Sequence, residues 1–552
     1  MRVMELNLWR IFQRVSEALP ERSAVIQGEH VFTYGRLADQ SARLAHVLGA
    51  HGLGCRAERD ALQPWEIGQD RIGLLMHNCP EYLVGMFGAF AARAAPFNIN
   101  YSYVADELEY VLNDAEAAAV VYQARFAPKI AEVLPRLKRQ PLLIQIADAS
   151  GTPLLPGALD YSAALEDADP AAIPADQQPD DINLLYTGGT TGMPKGVLWR
   201  QSDLFLSALA RGSHRTGTAG AEEVAAYAAQ RRGSRILVCA PMMHGAASLN
   251  SFSALLYADT VVFSRVDGQF DAADVCRTIE RERINSMMIV GEAFARPLLR
   301  ELAAHDYDTS SLRILMSGGA PMTQRSKDGV AERLPRVVLH ELLGASETGG
   351  ALQRADESDR DRLDAGVFAR RPGANVEVLD EARTRIERPG HTEPGWFAVA
   401  GSIPLGYLGD EEKTRATFAS VAGVRWSVPG DRARLRADGL IEVLGRDSTT
   451  INTGGEKVFA EEVEEALLTH PAVKDVAVAG RHSERWGQEV VALVSLVDGV
   501  QVADDELREA AARRIARYKL PKAVVRVDQV RRTPSGKIDR PWAGRAAADS
   551  VA

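Results

Sequence analysis

Between Leu184 and Val197 the chain reads LLYTGGTTGMPKGV. An apolar run (Ile182, Leu184, Leu185, Tyr186) stops at Thr187. It gives way to Gly188, Gly189, Thr190, Thr191 and Gly192, and Lys195 and Gly196 follow Pro194. Glycines let backbone N–H groups close on an anion with no Cβ in the way, threonine hydroxyls add donors, and a lysine adds positive charge. The composition therefore reads as a phosphate cradle after a strand. It is not a Walker loop, which needs Gly-Lys-Ser/Thr in sequence; here lysine precedes glycine and follows proline. Other short segments carry groups suited to phosphate and carboxylate chemistry: SGGAPM (317–322), LLGASETGG (342–350), PGDRARL (429–435), TGGEK (453–457) and TPSGKIDR (533–540).

YTGGTTGMPKG resembles the phosphate loop of the adenylate-forming superfamily, which holds acyl-CoA synthetases, firefly-type luciferases and peptide-synthetase adenylation domains. The other segments stand in that family's order and spacing over nearly the whole chain. The resemblance implies that a carboxylate attacks the α-phosphorus of ATP, so negative charge must be neutralised along the line of attack. It implies phosphate binding by Thr187, Gly188, Gly189, Thr190, Thr191, Gly192 and Lys195. It makes Glu347 the ligand of Mg²⁺, an ion that takes one or two carboxylates and completes its shell with phosphate and water. Ser346, where the family has threonine, would donate to the α-phosphate. Gly344 follows Leu343, which replaces the family's aromatic beside adenine. Gly318, Gly319 and Ala320 would run between adenine and the acyl pocket, Asp431 would hold the ribose, and Arg446 would contact the nucleotide. Lys537 becomes a mobile cation bridging the attacking carboxylate and the α-phosphate. Gly454, Gly455 and Lys457 would line the tunnel through which the thiol of CoA arrives once the small domain has swung. The hinge is expected near Ser448, where the family has aspartate or lysine. His244 in APMMHGAAS matches a gating aromatic beside the acyl site.

These residues must be held by elements the sequence also suggests. Apolar runs such as Arg71–Met76, Ala118–Tyr122, Leu142–Ile146, Ile236–Ala240, Ser286–Val290 and Leu312–Met316 alternate with Ala/Leu/Arg-rich helical stretches, as in α/β layers with parallel strands. Near the end, a helix over Ala460–Thr469 is stopped by Pro471. A strand near Val473–Ala479, another at Val490–Val497, a helix at Asp504–Ala516 and a strand at Ala523–Val530 follow. The expected fold class is α/β: a large N-terminal domain (residues 1–446) of layered, mainly parallel sheets with helices, plus a small mobile α+β C-terminal domain (447–552). At 552 residues the chain is too long for one core. Leu8, Ile11, Phe12, Val15 and Leu19 predict an amphipathic helix packed on the body.

A net charge of −10 argues against nucleic acid as a partner, and no apolar run reaches the ~20 residues that span a bilayer. Four scattered cysteines without metal-site spacing, and no signal-peptide pattern, predict a cytoplasmic chain. The expected partners are small molecules: a carboxylic acid, ATP and CoA. Homodimers are common among relatives of this family. The candidate acyl lining (Met242, Met243, His244, Ala247, Gly319) is apolar and small, which favours a bulky hydrophobic acid: a steroid side-chain, terpenoid or long-chain acid. The main expectation is an AMP-forming acyl-CoA ligase. One alternative adenylates only and hands the acyl group to a carrier or partner transferase. A luciferase-like oxygenase and a silent nucleotide-binding scaffold complete the set, the last opposed by the joint presence of Lys195, Glu347, Asp431, Arg446 and Lys537.

Overall fold

The computed structural model describes residues 6–187, 193–216, 220–264, 270–320, 322–353, 366–453, 456–483, 487–515, 517–533 and 536–550. Several short apolar runs become strands covered on both faces. Ala119–Gln123 and Ser286–Ile289 are buried throughout, as parallel strands flanked by helices require. Two large sheets result. In one, strands Arg71–Leu75, Ala95–Asn98, Ala119–Gln123, Leu142–Ile146 and Ile182–Thr187 pair in parallel. Lys195–Arg200 then folds back antiparallel on Ile182–Thr187, so Thr187 and Lys195 face each other across the stretch 188–194. In the other, Ser23–Gln27, Thr260–Phe263, Arg235–Val238, Ser286–Ile289, Ile314–Gly318 and Val338–Ala345 are parallel neighbours.

This second sheet changes character past Val338–Ala345. Strands from Gly349 to Arg446 pair antiparallel, including Asp431–Leu435 against Ile441–Arg446. Among the described residues the one helix between these strands is the short Glu411–Thr417, which makes no parallel crossover, so the parallel expectation stops at the strand following Arg333. The first helix, Leu8–Ala18, buries Leu8, Ile11, Phe12 and Val15 completely and packs on the helices Tyr34–Ala50 and Ala221–Gln230.

A separate five-stranded sheet begins at Thr450, after a single 3₁₀ turn over Asp447–Thr449. Its long hairpin, Val473–Ser483 with Gly487–Leu496, alternates faces. Val476, Val478, Val490, Ala492 and Val494 join a core under the helices Ala460–Leu468 and Asp504–Ala512. Ala477, Val491 and Leu493 join another under Arg540–Asp549. The fold is thus mixed α/β, with a large N-terminal sheet region and a small C-terminal one. Among the described residues no helix is long and apolar enough to cross a membrane, and all four cysteines are free.

Candidate active site

Strand ends and tight turns from both parts of the chain converge on one cleft of about 2550 Å³. Thr187 comes from the end of its strand, Gly318, Gly319 and Ala320 from the end of Ile314–Gly318, and Leu343, Gly344, Ser346 and Glu347 from the turn closing Val338–Ala345. Asp431, Arg446, His244 and Lys537 line the same space. Gly319 has φ +84, a left-handed conformation that a side chain would resist, and it turns the backbone away from the sheet at this point.

The carboxylate of Glu347 is fixed by Tyr407, whose hydroxyl donates to Oε1 at 2.9 Å; this contact and burial raise the phenol's pKa. Among the described residues nothing donates to Oε2, which leaves one hard oxygen for a ligand. The backbone around it is held from far away in sequence. Ser427 Oγ donates to the Glu347 carbonyl at 2.6 Å, Trp199 Nε1 to that of Ser346 at 2.8 Å, and Ser207 Oγ to that of Thr348 at 3.3 Å. Tyr407 belongs to a two-residue strand paired with Lys195–Arg200, so the hairpin bearing the glycine loop and the Glu347 turn are braced together.

Asp431 and Arg446 are fifteen positions apart because they stand opposite one another in an antiparallel hairpin, with Arg446 Nε 3.3 Å from Asp431 Oδ1. Burial pushes the aspartate's pKa up, and Arg446 opposes it. Burial also works against the arginine's charge, but Asp431 and Glu347 outweigh that and raise its pKa.

Lys537 reaches the cleft from a turn in the C-terminal part, where Gly536 (φ +79) donates its N–H to the Thr533 carbonyl at 2.8 Å and Thr533 N–H donates to the Lys537 carbonyl at 2.8 Å. A Cβ on Gly536 would lie 3.3 Å from Ala293 Cβ and 3.5 Å from Val290, so this turn rests directly on the start of the helix Gly291–Ala304. The lysine is exposed to the cleft, and the walls of the cleft partly desolvate it. That desolvation, followed by the charge of Arg446, lowers its pKa, while Glu347 and Asp431 pull the other way. His244 is the N-cap of the helix Gly245–Leu256. Its Nε2 is buried without a partner among the described residues, and burial with the nearby Lys537 lowers its pKa to about 4, so it is neutral near pH 7.

Lys195 does not line the cleft. Its Nζ is 2.6 Å from Asp410, whose pKa is held down by that ion pair despite burial acting in the other direction. Gly188, Gly189, Thr190, Thr191, Gly192, Gly454, Gly455 and the side chain of Lys457 lie outside the described residues. Two residues of the expected acyl lining are placed elsewhere. Met242 and Ala247 are buried in the core; Met242 Sδ accepts from Ser251 Oγ at 3.2 Å, and Ala247 faces inward from its helix. Met243, His244 and Gly319 do face the cleft.

Several positioning residues carried no sequence signal of their own. Asn98 accepts from Tyr186 N–H and donates to the carbonyls of Tyr186 and Met243, tying the glycine-loop strand to the His244 turn. Asn78 does the same for Ala240 and Met242. Their partners are 88 to 164 positions away, so no local pattern could reveal them.

Residues 12–408 match the family described as AMP-binding enzyme, and residues 462–537 match the AMP-binding enzyme C-terminal domain. The chain belongs to this family, within the adenylate-forming superfamily, and is an acid–thiol ligase of the AMP-forming acyl-CoA synthetase type. It is 48% identical over 535 residues to the medium-chain acyl-CoA ligase Mig of Mycobacterium avium, covering 97% of this chain and 96% of that protein. It is 36% identical to a 3-oxocholest-4-en-26-oate–CoA ligase of Rhodococcus rhodochrous, covering 98% and 96%. The fold matches a crystal structure of an anthranilate CoA ligase in complex with anthranoyl-AMP, with a TM-score of 0.82 at 20% identity over 99% of both chains.

Proposed function

We infer that this chain activates a hydrophobic carboxylic acid with ATP and transfers the acyl group to CoA. The observation that carries the reading is the convergence of Lys537, borne by the C-terminal sheet region, with Glu347, Asp431, Arg446 and His244 in one cleft. Each half of the site is inert alone: one supplies carboxylates and turns, the other a cation.

Asp431, accepting from vicinal hydroxyls, would hold the ribose, and Arg446 beside it would contact the nucleotide, with Gly318, Gly319, Ala320, Leu343 and Gly344 forming the bare wall along which the base lies. Thr187 and the adjoining glycine loop would receive the phosphates. Asp410 would yield Lys195 to the more highly charged triphosphate. Lys537 then meets the acid's carboxylate and the α-phosphate together, so charge developing in the pentacoordinate transition state is matched by a cation already in place. The carboxylate oxygen bonds to phosphorus as pyrophosphate leaves. The thiolate of CoA next attacks the acyl carbon, and AMP departs with the bridging oxygen. Neutral His244, at the acyl side, turns no charge toward either anion.

Glu347 would hold Mg²⁺ through its unengaged Oε2, and the ion would neutralise phosphate charge. Among the described residues no cluster of three or more acidic, histidine or cysteine side chains could hold a metal alone, which suits an ion carried in with the nucleotide. We place the pivot between the two parts at Asp447–Thr449, giving an adenylating domain of residues 1–446 and a mobile domain of residues 447–552. Thr449 Oγ1, 2.9 Å from the Arg446 carbonyl and 3.0 Å from Glu461, holds the orientation seen here. The acid is hydrophobic in body, as are those named for the Mycobacterium and Rhodococcus relatives, and Met288, Met316, Leu249 and Leu342 supply an apolar lining for it.

Mass spectrometry of reactions with ATP, Mg²⁺, CoA and a pool of medium-chain, long-chain, steroid and terpenoid acids tests the reading. A CoA thioester formed only with both ATP and CoA is the expected product. Adenylate that accumulates in the presence of CoA would instead identify a ligase that delivers to another acceptor.

A further inference from the structure

The cleft continues away from the reacting end along the helix Gly245–Leu256. His244 stands at its start, and Ser253 near its end accepts from Arg211 Nε at 3.0 Å. Nine helical steps separate them, a run of about 14 Å. Apolar side chains line much of this channel, but its far end is basic: Arg211, Arg215, Arg231 and Arg371 all face it. Arg211 and Arg231 share the buried carboxylate of Asp259. Arg215 and Arg371 form no ion pair among the described residues.

The placement of Arg371 depends on Gly350. Its Nη1 donates to the Gly350 carbonyl at 3.2 Å, and a Cβ at position 350 would lie only 2.2 Å from that nitrogen. The missing side chain leaves the space the guanidinium fills, three residues beyond Glu347. Burial lowers the Arg371 pKa to about 10, and the charge of Arg215 adds to the effect. Burial likewise lowers that of Arg215, with Arg211 contributing. Along the channel, Asn250 Oδ1 is buried with no partner among the described residues. Among the described residues these two neighbouring guanidiniums have no counter-charge, and such partly buried charges are well placed to receive a ligand oxygen. The fork geometry of arginine suits a carboxylate or carbonyl oxygen.

We propose that Arg215 and Arg371 form a tail-recognition subsite, so that the preferred acid spans the channel and carries a second oxygen group, carboxylate or ketone, at its far end. This rests on the ligase reading above and adds its substrate class: an acid hydrophobic in the middle and oxygenated at both ends. Guanidinium hydrogen bonds to such a group strengthen binding of the acid without touching the adenylation chemistry.

The test uses the full-length enzyme with dodecanoate, its penultimate-ketone analogue and dodecanedioate, following pyrophosphate release. The wild type is expected to favour at least one oxygenated acid over dodecanoate by about tenfold or more in kcat/KM, the size expected of a hydrogen bond to a charged group. Arg371→Met and Arg215→Met should remove that preference mainly through KM while leaving dodecanoate turnover unchanged, and Arg371→Lys should restore part of it. Which oxygenated acid gains more distinguishes anionic from carbonyl recognition. Equal or better use of dodecanoate by the wild type overturns the subsite, as does an equal loss on all three acids in both methionine variants. Calorimetric titration of dodecanedioate needs no turnover and keeps the two ideas apart. Binding that Arg371→Met weakens, without any turnover, would retain the subsite and refute the ligase reading. Turnover without tail discrimination would do the reverse.

Discussion

Lys537 shares the cleft with Asp431, Arg446 and Glu347, yet it arrives from a turn more than ninety residues further along the chain than Arg446. On the two-domain reading proposed above, a swing of the C-terminal part would withdraw the lysine's charge from the site. Lys537→Ala should lower acid-dependent pyrophosphate release on the order of 10²–10³-fold, the scale of losing a preorganised electrostatic partner, while CoA thioester formation from added acyl-adenylate stays near wild type. An equal loss in both half-reactions would refute that division. His244 gives a second expectation. The unfolded chain takes up a proton at this residue near pH 6.5, the folded one only near 4. Between those values the unfolded state binds more protons, so stability contributed by neutral His244 is complete above 6.5 and is lost as the pH falls toward 4. His244→Gln should flatten the fall of Tm over that window, whereas an unchanged profile would show that another group causes it. At this scale the sequence was informative where a residue's chemistry is local. The glycine loop, Glu347 and Lys537 stand in short motifs; Glu347 and Lys537 line one cleft, whereas Lys195 pairs with Asp410 outside it. Tyr407, Ser427, Trp199 and the arginine pair were silent, because each acts on a segment distant in the chain.

At the scale of elements, the turn bearing Lys537 is seated by shape. Gly536 combines a positive φ with contact to Val290 and Ala293, so Gly536→Ala imposes both backbone strain of roughly 1–2 kcal/mol and a crowded methyl at the docking surface. Adenylation should slow about five- to thirtyfold with at most a small fall in Tm, since the strain distorts a short surface turn and the methyl meets Val290 and Ala293 only when the turn is docked. A drop in Tm with equal loss of thioester formation would instead mark the glycine as needed for folding the C-terminal part. The strands around the site could be read from apolar runs such as Leu142–Ile146, which matches its observed strand at both ends. The antiparallel stretch from Gly349 to Arg446 could not, because among the described residues only the short helix Glu411–Thr417 interrupts its strands, so it lacks the run-and-helix rhythm of the parallel region. Met242 and Ala247 went astray for a related reason: helix rotation decides which apolar side chains face a cavity and which face the core, and composition alone does not record it.

At the scale of the molecule, the C-terminal sheet region is covered on both faces by its own helices and buries two small cores of its own. Only the Asp447–Thr449 turn joins it covalently to the rest. A region with its own interior has no need of the larger part in order to fold. The joining turn can then be regarded as a tether that sets a local concentration, on the order of millimolar for a short connection. An enzyme supplied as two pieces, residues 1–446 and 447–552, should therefore recover adenylation when mixed, with a rate that climbs in proportion to the smaller piece at micromolar levels and stays far below that of the intact chain. Failure of the mixture at any concentration, with both pieces folded, would show that the connection does more than keep the parts together. If the rate does climb, the lysine behaves as a diffusible reagent that the intact chain keeps on a leash, and the length and stiffness of three residues become a control on how often each catalytic posture is visited.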